Sequence, residues 1–410
     1  MSSFLTAPER RRIFERVLAV LDQRFASLPL PDTERLRARH EPAILENPDV
    51  ETFEARMNAM VTPLASHTGF YNRRAPRATE GAALGASVVR HDAIDGHRWQ
   101  FRRVDPAGPA ARAGIGPGDV WLEVDDASLF PPSRATFRFG RAYALRVRKP
   151  AGAHVRTVVD VPPHPYRSPS RAANPLVSAI GLSPETAVLR VTGFPGNIGV
   201  DVARDMTRAL ATLQPRRLIV DLRQCVGGGI GCLRLASLLC PDRRGVCYTQ
   251  TRSRMGMTIS PDRLPTLSRI PHSRAGIAPL CLLFWPVLTH GAMSLAVVTE
   301  SLGPQPYHGR VVVLTDEESN SAAEIVAAFV DEHRVAALVG APTAGRLVWS
   351  GEVCVGRGYR LRLPLAVYRS WRGTLIEGAG VQPHIPVPSA VTPDAPDLQF
   401  ARALEIVHAL

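Results

Sequence analysis

Ser321 is the residue around which chemistry is most readily built. Val311 to Leu314 is a continuous apolar, β-branched run, the pattern of a short buried strand. Thr315 to Asn320 is polar and turn-like. Ser321 then opens an amphipathic helix with Ile325, Val326, Phe329 and Val330 on its apolar side. Ala336 to Val339 reads as the next strand, closed by Gly340 and Pro342. A serine at the first turn of a helix leaving a buried strand stands where unpaired backbone N–H groups face anything bound beside it. That place suits a nucleophile and a developing oxyanion. The same residues also read as a plain helix cap, with Glu324 three positions on as the capping-box partner of Ser321.

Three further stretches carry polar residues in suggestive places. Leu218 to Leu222 is a buried strand, and it runs into Asp221-Leu222-Arg223-Gln224-Cys225-Val226-Gly227-Gly228-Gly229. Glycines between a strand and a helix let backbone N–H groups approach a ligand closely. A phosphate loop is the rival reading, but the Walker lysine and the Rossmann spacing are both absent. Ser66-His67 follows the end of a helix, where a lone histidine is ordinarily solvated or capping. Glu377-Gly378 sits in a turn, where a glutamate is ordinarily solvated.

Taken together these residues resemble a family. Ser321-Ala322-Ala323-Glu324, then Asp331, Val339-Gly340 and Pro342-Thr343-Ala344-Gly345, resemble the nucleophile region of the C-terminal processing peptidases and their tricorn-core and retinoid-binding-protein relatives. The resemblance implies that Ser321 is the nucleophile. In the processing branch a lysine just after the threonine-x-glycine turn is the general base; here that position is Arg346. A guanidinium does not deprotonate in a protein, and Lys149 is the only lysine in the chain, so a Ser–Lys dyad is excluded. In the tricorn-like branch a Ser-His pair before the PDZ domain supplies the base. Ser66-His67 matches it in type and order, which implies His67 as base and Ser66 beside it. Glu377 matches the acid that completes that tetrad, orienting His67 through Ser66. The glycine loop implies an oxyanion hole from Gly227 or Gly228 together with Ala322. The implied reaction is acyl transfer from a peptide to water, with no metal and no cofactor. The chain departs from the family at Cys225, where asparagine is usual, and at His384, where aspartate is expected.

The elements that must position these groups fall into three regions. Residues 1–75 read as helical. Thr6-Ala7-Pro8-Glu9 is a capping box with proline in the first turn, Phe14, Val17, Leu18, Leu21 and Phe25 follow helical spacing, and a second helix spans about Val50 to Leu64. A basic linker covers residues 73–80. Residues 79–163 are short strands and turns with one small helix. They resemble a PDZ domain of the bacterial processing-protease type, with Ala83-Leu84-Gly85 as the loop that would hold a peptide carboxylate. A PDZ that merely packs on the core is the alternative. After a linker at residues 164–174, residues 175–400 are α/β, with a helix at Val200 to Leu213. The implied fold is a crotonase-like (ClpP/crotonase) α/β core with an N-terminal helical segment and an inserted PDZ domain.

Composition narrows the partners. Among 410 residues, 49 are basic and 37 acidic, a net charge of +12, and nearly all the basic residues are arginine. With no Lys/Arg block and no aromatic interleaving, nucleic acid is not the expected partner. A peptide or protein substrate is, with its C-terminus as one handle for binding and the oligomeric state open. Six cysteines (225, 232, 240, 247, 281 and 354) form no C-x-x-C pair, so a zinc site is not expected. The N-terminus lacks a signal-peptide pattern. Gly276 to Val298, the most apolar stretch, is broken by Pro279, Pro286, His290 and Gly291, so no membrane span is expected and the chain reads as cytoplasmic. Two other functions share this fold: a non-catalytic binder of an apolar ligand or peptide, and an esterase or tailoring hydrolase using the same serine.

Overall fold

The computed structural model describes residues 5–46, 49–73, 77–93, 96–131, 133–167, 175–195, 199–271, 276, 293–390 and 395–410. Cys281, most of the apolar stretch 276–298, and parts of both linkers lie outside the described residues. The fold is mixed α/β. It divides into two compact units, Met1–Asn174 with Ser350–Leu365, and Pro175–Trp349 with Ala366–Leu410.

The first unit begins with three helices, Ala7–Arg24, Thr33–Glu46 and Val50–Val61. The Thr6/Glu9 capping box expected from the spacing is present. The helix Thr33–Glu46 has no counterpart in the sequence reading. Few of its residues are apolar and Pro42 lies inside it. It is held instead by polar ties: Arg37 grips Glu15 of the first helix through two hydrogen bonds, and buried Arg10 donates to the Leu45 carbonyl at 2.6 Å. The third helix is tied to the strand Gly69–Asn72 by a side-chain amide, with Asn58 donating to Phe70 O (2.6 Å) and accepting from Phe70 N–H (2.9 Å). Phe53, Phe70 and Tyr359 then pack ring against ring beneath it.

Further along the same unit, Ala86–Ala93, Gly96–Val104, Val120–Val124, Ala142–Arg148 and His154–Asp160 form an antiparallel sheet in that order. Two short helices, Glu80–Leu84 and Pro109–Arg112, accompany it. Phe101, Trp121, Phe137 and Tyr143 fill its core.

In the second unit Val177–Gly181, Thr186–Val191, Arg217–Asp221, Val311–Thr315, Ala337–Gly340 and Ile385–Pro386 form one sheet in that spatial order. All neighbours are parallel except the first pair. Alternate residues serve two cores. Leu218, Val220, Val311, Val313 and Leu338 join the layer containing the helices Val200–Leu213, Cys232–Leu239 and Ala322–His333. Ile219, Val312, Leu314 and Val339 meet Ala403 and Val407 of the C-terminal helix Leu398–Ala409. Burial on both faces is why these strands read as unbroken apolar runs rather than alternating ones.

Candidate active site

Ser321 is the residue immediately before the helix Ala322–His333, at the end of the buried strand Val311–Thr315. Its backbone sits at φ 55°, ψ −115°. A non-glycine residue there carries strain of about 1–3 kcal/mol, which surrounding contacts must sustain. The contacts are visible. Ser321 N–H donates to Glu324 Oε2 at 2.9 Å, so the capping-box contact forms. Glu324 is fully buried and does more than cap. Its Oε2 also accepts from Arg346 N–H (2.9 Å), and its Oε1 accepts from Thr343 Oγ1 (2.8 Å) and Gly345 N–H (2.7 Å). Burial raises its carboxyl above the ordinary range, and these four donors pull the other way. Beyond the capping contact that its spacing implies, Glu324 anchors both Ser321 and the Thr343–Arg346 turn.

The glycine loop lies directly against this serine. A Cβ added to Gly227 would fall 2.4 Å from Ser321 Cβ and 3.0 Å from Ala322 N. One added to Gly228 would fall 1.8 Å from the Phe194 carbonyl oxygen. Both residues also have positive φ, 75° and 135°, so glycine is needed at each for space and for backbone conformation. Among the described residues the amides of Gly228 and Ala322 donate to no acceptor, while the Gly227 N–H donates to the Cys225 thiol. Donors left open beside a strained serine can receive an anionic oxygen.

Loop and serine turn are stitched together. Gln224 N–H donates to Asp316 Oδ1 (2.9 Å), Asn320 N–H to the Cys225 carbonyl (3.1 Å), and Ser319 Oγ lies 2.9 Å from the Leu222 carbonyl it can donate to. Ser319 also accepts from Asp316 N–H and is fully buried, so it is a bracket for the turn. Arg223 grips both oxygens of Asp221 at 2.9 Å and reaches Asp397, the N-cap of the C-terminal helix, at 2.7 Å. Cys225 is buried and its thiol is pushed up to about 12 by burial, which removes it as a nucleophile. None of the five described cysteines is in a disulfide.

Asp316 at the centre of this stitching gives a pH prediction. Burial, with help from Glu318, pushes its carboxyl up to about 6 from 3.8, against the bonds from Gln224 and Ser319. Between those values the folded chain keeps a proton that the unfolded chain has lost, so this group's contribution falls as pH rises. The difference is worth about 3 kcal/mol. Asp316→Asn keeps the shape and does not titrate. Urea unfolding should therefore show the variant gaining about 3 kcal/mol on wild type between about pH 4 and pH 7. A stability difference that stays flat across that range would show that Asp316 ionises normally.

The remaining residues read from sequence are placed as follows. Glu377 is half-buried and accepts from Leu347 N–H at 2.7 Å, so consecutive amides, Arg346 and Leu347, are held by two different carboxylates. His384, where aspartate was expected, accepts from Leu338 N–H at Nδ1 (3.1 Å) and meets Asp331 through Nε2 (3.1 Å). It fastens the last strand to the sheet and the helix, which accounts for that departure. Ser66 and His67, in the first unit, occupy the turn between Val50–Val61 and Gly69–Asn72, and His67 has φ 59°. Ala83 and Leu84 end a short helix and Gly85 caps it in the left-handed conformation. That loop is covered: the ring of Tyr166 comes within 2.7 Å of where a Gly85 Cβ would be, and Tyr166 N–H donates to the Ala82 carbonyl at 2.7 Å.

Comparison with known proteins agrees with this architecture. Residues 185–387 match the model of peptidase family S41. A carboxy-terminal-processing protease of Bartonella bacilliformis is 36% identical over 77 residues, 19% of this chain; the match spans only 18% of that curated relative's length. Among solved structures, a photosystem II D1 C-terminal processing protease superposes with a TM-score of 0.56 at 15% identity, over 92% of each chain. Mature CPAF complexed with lactacystin superposes at 0.59 and 15% identity, over 98% of this chain and 97% of that one. At such identities the superpositions speak to fold alone. Over residues 185–387 the chain is similar to peptidase family S41, and over a shorter stretch to a carboxy-terminal-processing protease.

No described helix is long and apolar enough to cross a membrane.

Proposed function

We propose that the chain is a serine peptidase of the C-terminal processing type, hydrolysing peptide bonds through Ser321. The observation that carries this reading is the strained backbone of Ser321 packed against the glycine loop, with the amides of Gly228 and Ala322 unaccepted. In the reaction Ser321 Oγ attacks the scissile carbonyl, and its proton passes to His67. The carbonyl oxygen, now negative, takes hydrogen bonds from Ala322 N–H and from Gly227 or Gly228 N–H. His67 returns the proton to the leaving amine. Water repeats the sequence on the acyl-enzyme. Glu377, acting through Ser66, orients His67 and stabilises its imidazolium. Residues 175–400 would be the crotonase-like core and 79–163 the PDZ domain of the family. A fluorophosphonate probe followed by peptide mapping tests the nucleophile. Label on Ser321 alone is the expected result. An unlabelled protein would turn the reading toward a binder on the same fold.

The PDZ assignment has its own test. A peptide whose carboxylate rests on the Ala83-Leu84-Gly85 loop competes with Tyr166 for that place. Fluorescence-polarisation titrations should therefore show tighter binding to Tyr166→Ala than to wild type. An amidated peptide should bind roughly 10–100-fold more weakly than the free acid, through loss of charge-assisted hydrogen bonds. Equal binding of acid and amide by both proteins would leave residues 79–163 a packing role.

A further inference from the structure

The helix Val200–Leu213 carries Arg204, Thr207, Arg208 and Ala211 at spacings of three and four, so these side chains share one face. That face lines a cavity of about 240 Å³, which Arg234 of the helix Cys232–Leu239 and Pro271 complete. Three of the lining residues are arginines and none is acidic. None of the residues built around Ser321 lines it. The two helices meet at their beginnings: a Cβ on Gly231 would lie 2.7 Å from the Gly199 carbonyl oxygen. That contact sets the arginine-bearing turns that follow it against each other.

The three arginines are held in different ways. Arg234 is only 7% exposed. A buried guanidinium needs a partner, and Glu300 accepts from it with both carboxylate oxygens, at 2.5 and 3.0 Å. Thr207 Oγ1 accepts a third bond at 3.0 Å. Glu300 is itself fixed, accepting from Ile270 N–H at 2.9 Å and donating its own N–H to Ser237 Oγ. A guanidinium has five N–H groups. Arg234 uses three, so two remain without an acceptor among the described residues on a side chain nearly out of water. Glu300 cancels the charge of Arg234 and leaves those two donors in place. Arg204 leans on Asp201 at 3.4 Å and on Asp205 at 3.5 Å, in solvent-exposed pairs. Such pairs contribute little and exchange readily for a better anion. Arg208 is exposed, and its side chain has no ion pair among the described residues.

Charge and donor count select the ligand. Arg204 and Arg208 bring two positive charges with no buried counter-ion. A phosphate monoester near neutral pH carries a charge of about −1.5 to −2 and three strong acceptor oxygens. That matches two cations and the open N–H groups of Arg234, and the planar guanidinium fork suits phosphate oxygens. Val200, Ala211 and Pro271 add apolar surface beside the arginines, where a small apolar body can rest. A monocarboxylate offers one charge and two oxygens, which leaves the set unmatched. We propose that this cavity is a binding site for a small phosphate monoester, held by Arg204, Arg208 and Arg234.

The probe is phenyl phosphate, titrated calorimetrically into the full chain near neutral pH, beside phenyl sulfate, benzoate and inorganic phosphate. Phenyl phosphate should bind roughly 10–100-fold more tightly than phenyl sulfate, which has its shape but a single charge. Benzoate should bind as weakly as the sulfate. Inorganic phosphate should bind more weakly than phenyl phosphate, because it leaves the apolar surface uncovered. Arg204→Ala and Arg208→Ala should each weaken phenyl phosphate roughly 10–100-fold. Arg90→Ala, which removes an exposed arginine of the first unit, should leave the affinity unchanged. Arg204 and Arg208 are exposed helix positions, so both variants should keep the wild-type melting temperature and the loss is read on folded protein. A second measurement locates the site: phenyl phosphate should slow phenylglyoxal modification of Arg204 and Arg208, mapped by peptide, and not that of Arg90. Absent binding of phenyl phosphate overturns the proposal. So does equal affinity for phosphate and sulfate esters, an Arg208→Ala protein that binds like Arg90→Ala, or protection that spares Arg204 and Arg208. Neither readout needs turnover, so the outcome is separate from whether Ser321 is a nucleophile.

Discussion

Replacing His67 by alanine should lower kcat on unstructured peptides by roughly 10⁴–10⁶-fold, the scale seen when a catalytic-triad member is removed. A serine hydroxyl is a weak nucleophile until a base takes its proton, and the described carboxylates around Ser321 are poor candidates. Glu324 is fully buried and already accepts four hydrogen bonds. Asp316 is buried and bonded to Gln224 N–H, Glu318 N–H and Ser319. Arg346 cannot act as a base at all. Lys149, the only lysine, is held in the first unit by Asp119 Oδ2 at 2.7 Å and the Gly114 carbonyl at 2.6 Å. His67 differs from all of these. It occupies a short turn fixed at both ends by the Asn58–Phe70 hydrogen bonds, and its φ of 59° is one that non-glycine residues seldom adopt without a reason. In wild type kcat/KM should rise with pH through a single ionisation in the histidine range. In His67→Ala that ionisation should vanish, and added imidazole should restore part of the rate. Glu377→Gln should cost far less, because its carboxamide oxygen can still accept from Leu347 N–H. A His67→Ala protein with unchanged kcat would end the assignment.

Much of this arrangement was legible in the sequence where one physical pattern dominated. The helix Val200–Leu213 is found where its periodicity put it. The strand, turn and helix around Ser321 fall within a residue or two of expectation, because buried parallel strands must be apolar throughout and the helix carries its own capping pair. The glycines of the loop were also legible, since only a close backbone approach calls for several together. What could not be read are features set by long-range polar partners. Nothing local marks Thr33–Glu46 as a helix, because Arg10 and Glu15 of another helix hold it. The pairing of His384 with Asp331 depends on a sheet register that spans 53 positions of sequence. Tyr166 carries no local sign that it covers Gly85. Glu324 is the sharpest case. Its spacing from Ser321 is a textual clue to one bond, yet three of its four donors come from the Thr343–Arg346 turn, about twenty residues on.

That asymmetry makes Glu324 the place where a cap and an anchor give different results. If Glu324 only capped a helix, Glu324→Ala would cost about 1 kcal/mol, the usual scale for losing a cap. As an anchor it leaves Ser321 N–H, Thr343 Oγ1, Gly345 N–H and Arg346 N–H without their acceptor in a buried site. Each unpaired buried donor costs about 1–3 kcal/mol, so Glu324→Ala should lose at least about 4 kcal/mol in urea unfolding. That is a large share of a typical domain's 5–15 kcal/mol. Glu324→Gln separates position from packing. Its single oxygen can serve the Thr343–Gly345 pair or the Ser321–Arg346 pair, while its NH₂ group confronts the other pair, donor against donor. The variant should stay folded with a smaller loss. Its fluorophosphonate labelling rate at Ser321 should nevertheless fall well beyond what the unfolded fraction explains, because the strained φ of Ser321 would have lost its tether. A Glu324→Ala protein with an unshifted urea midpoint and an unchanged labelling rate would reduce Glu324 to a cap, and some other contact would have to hold Ser321 at φ 55°.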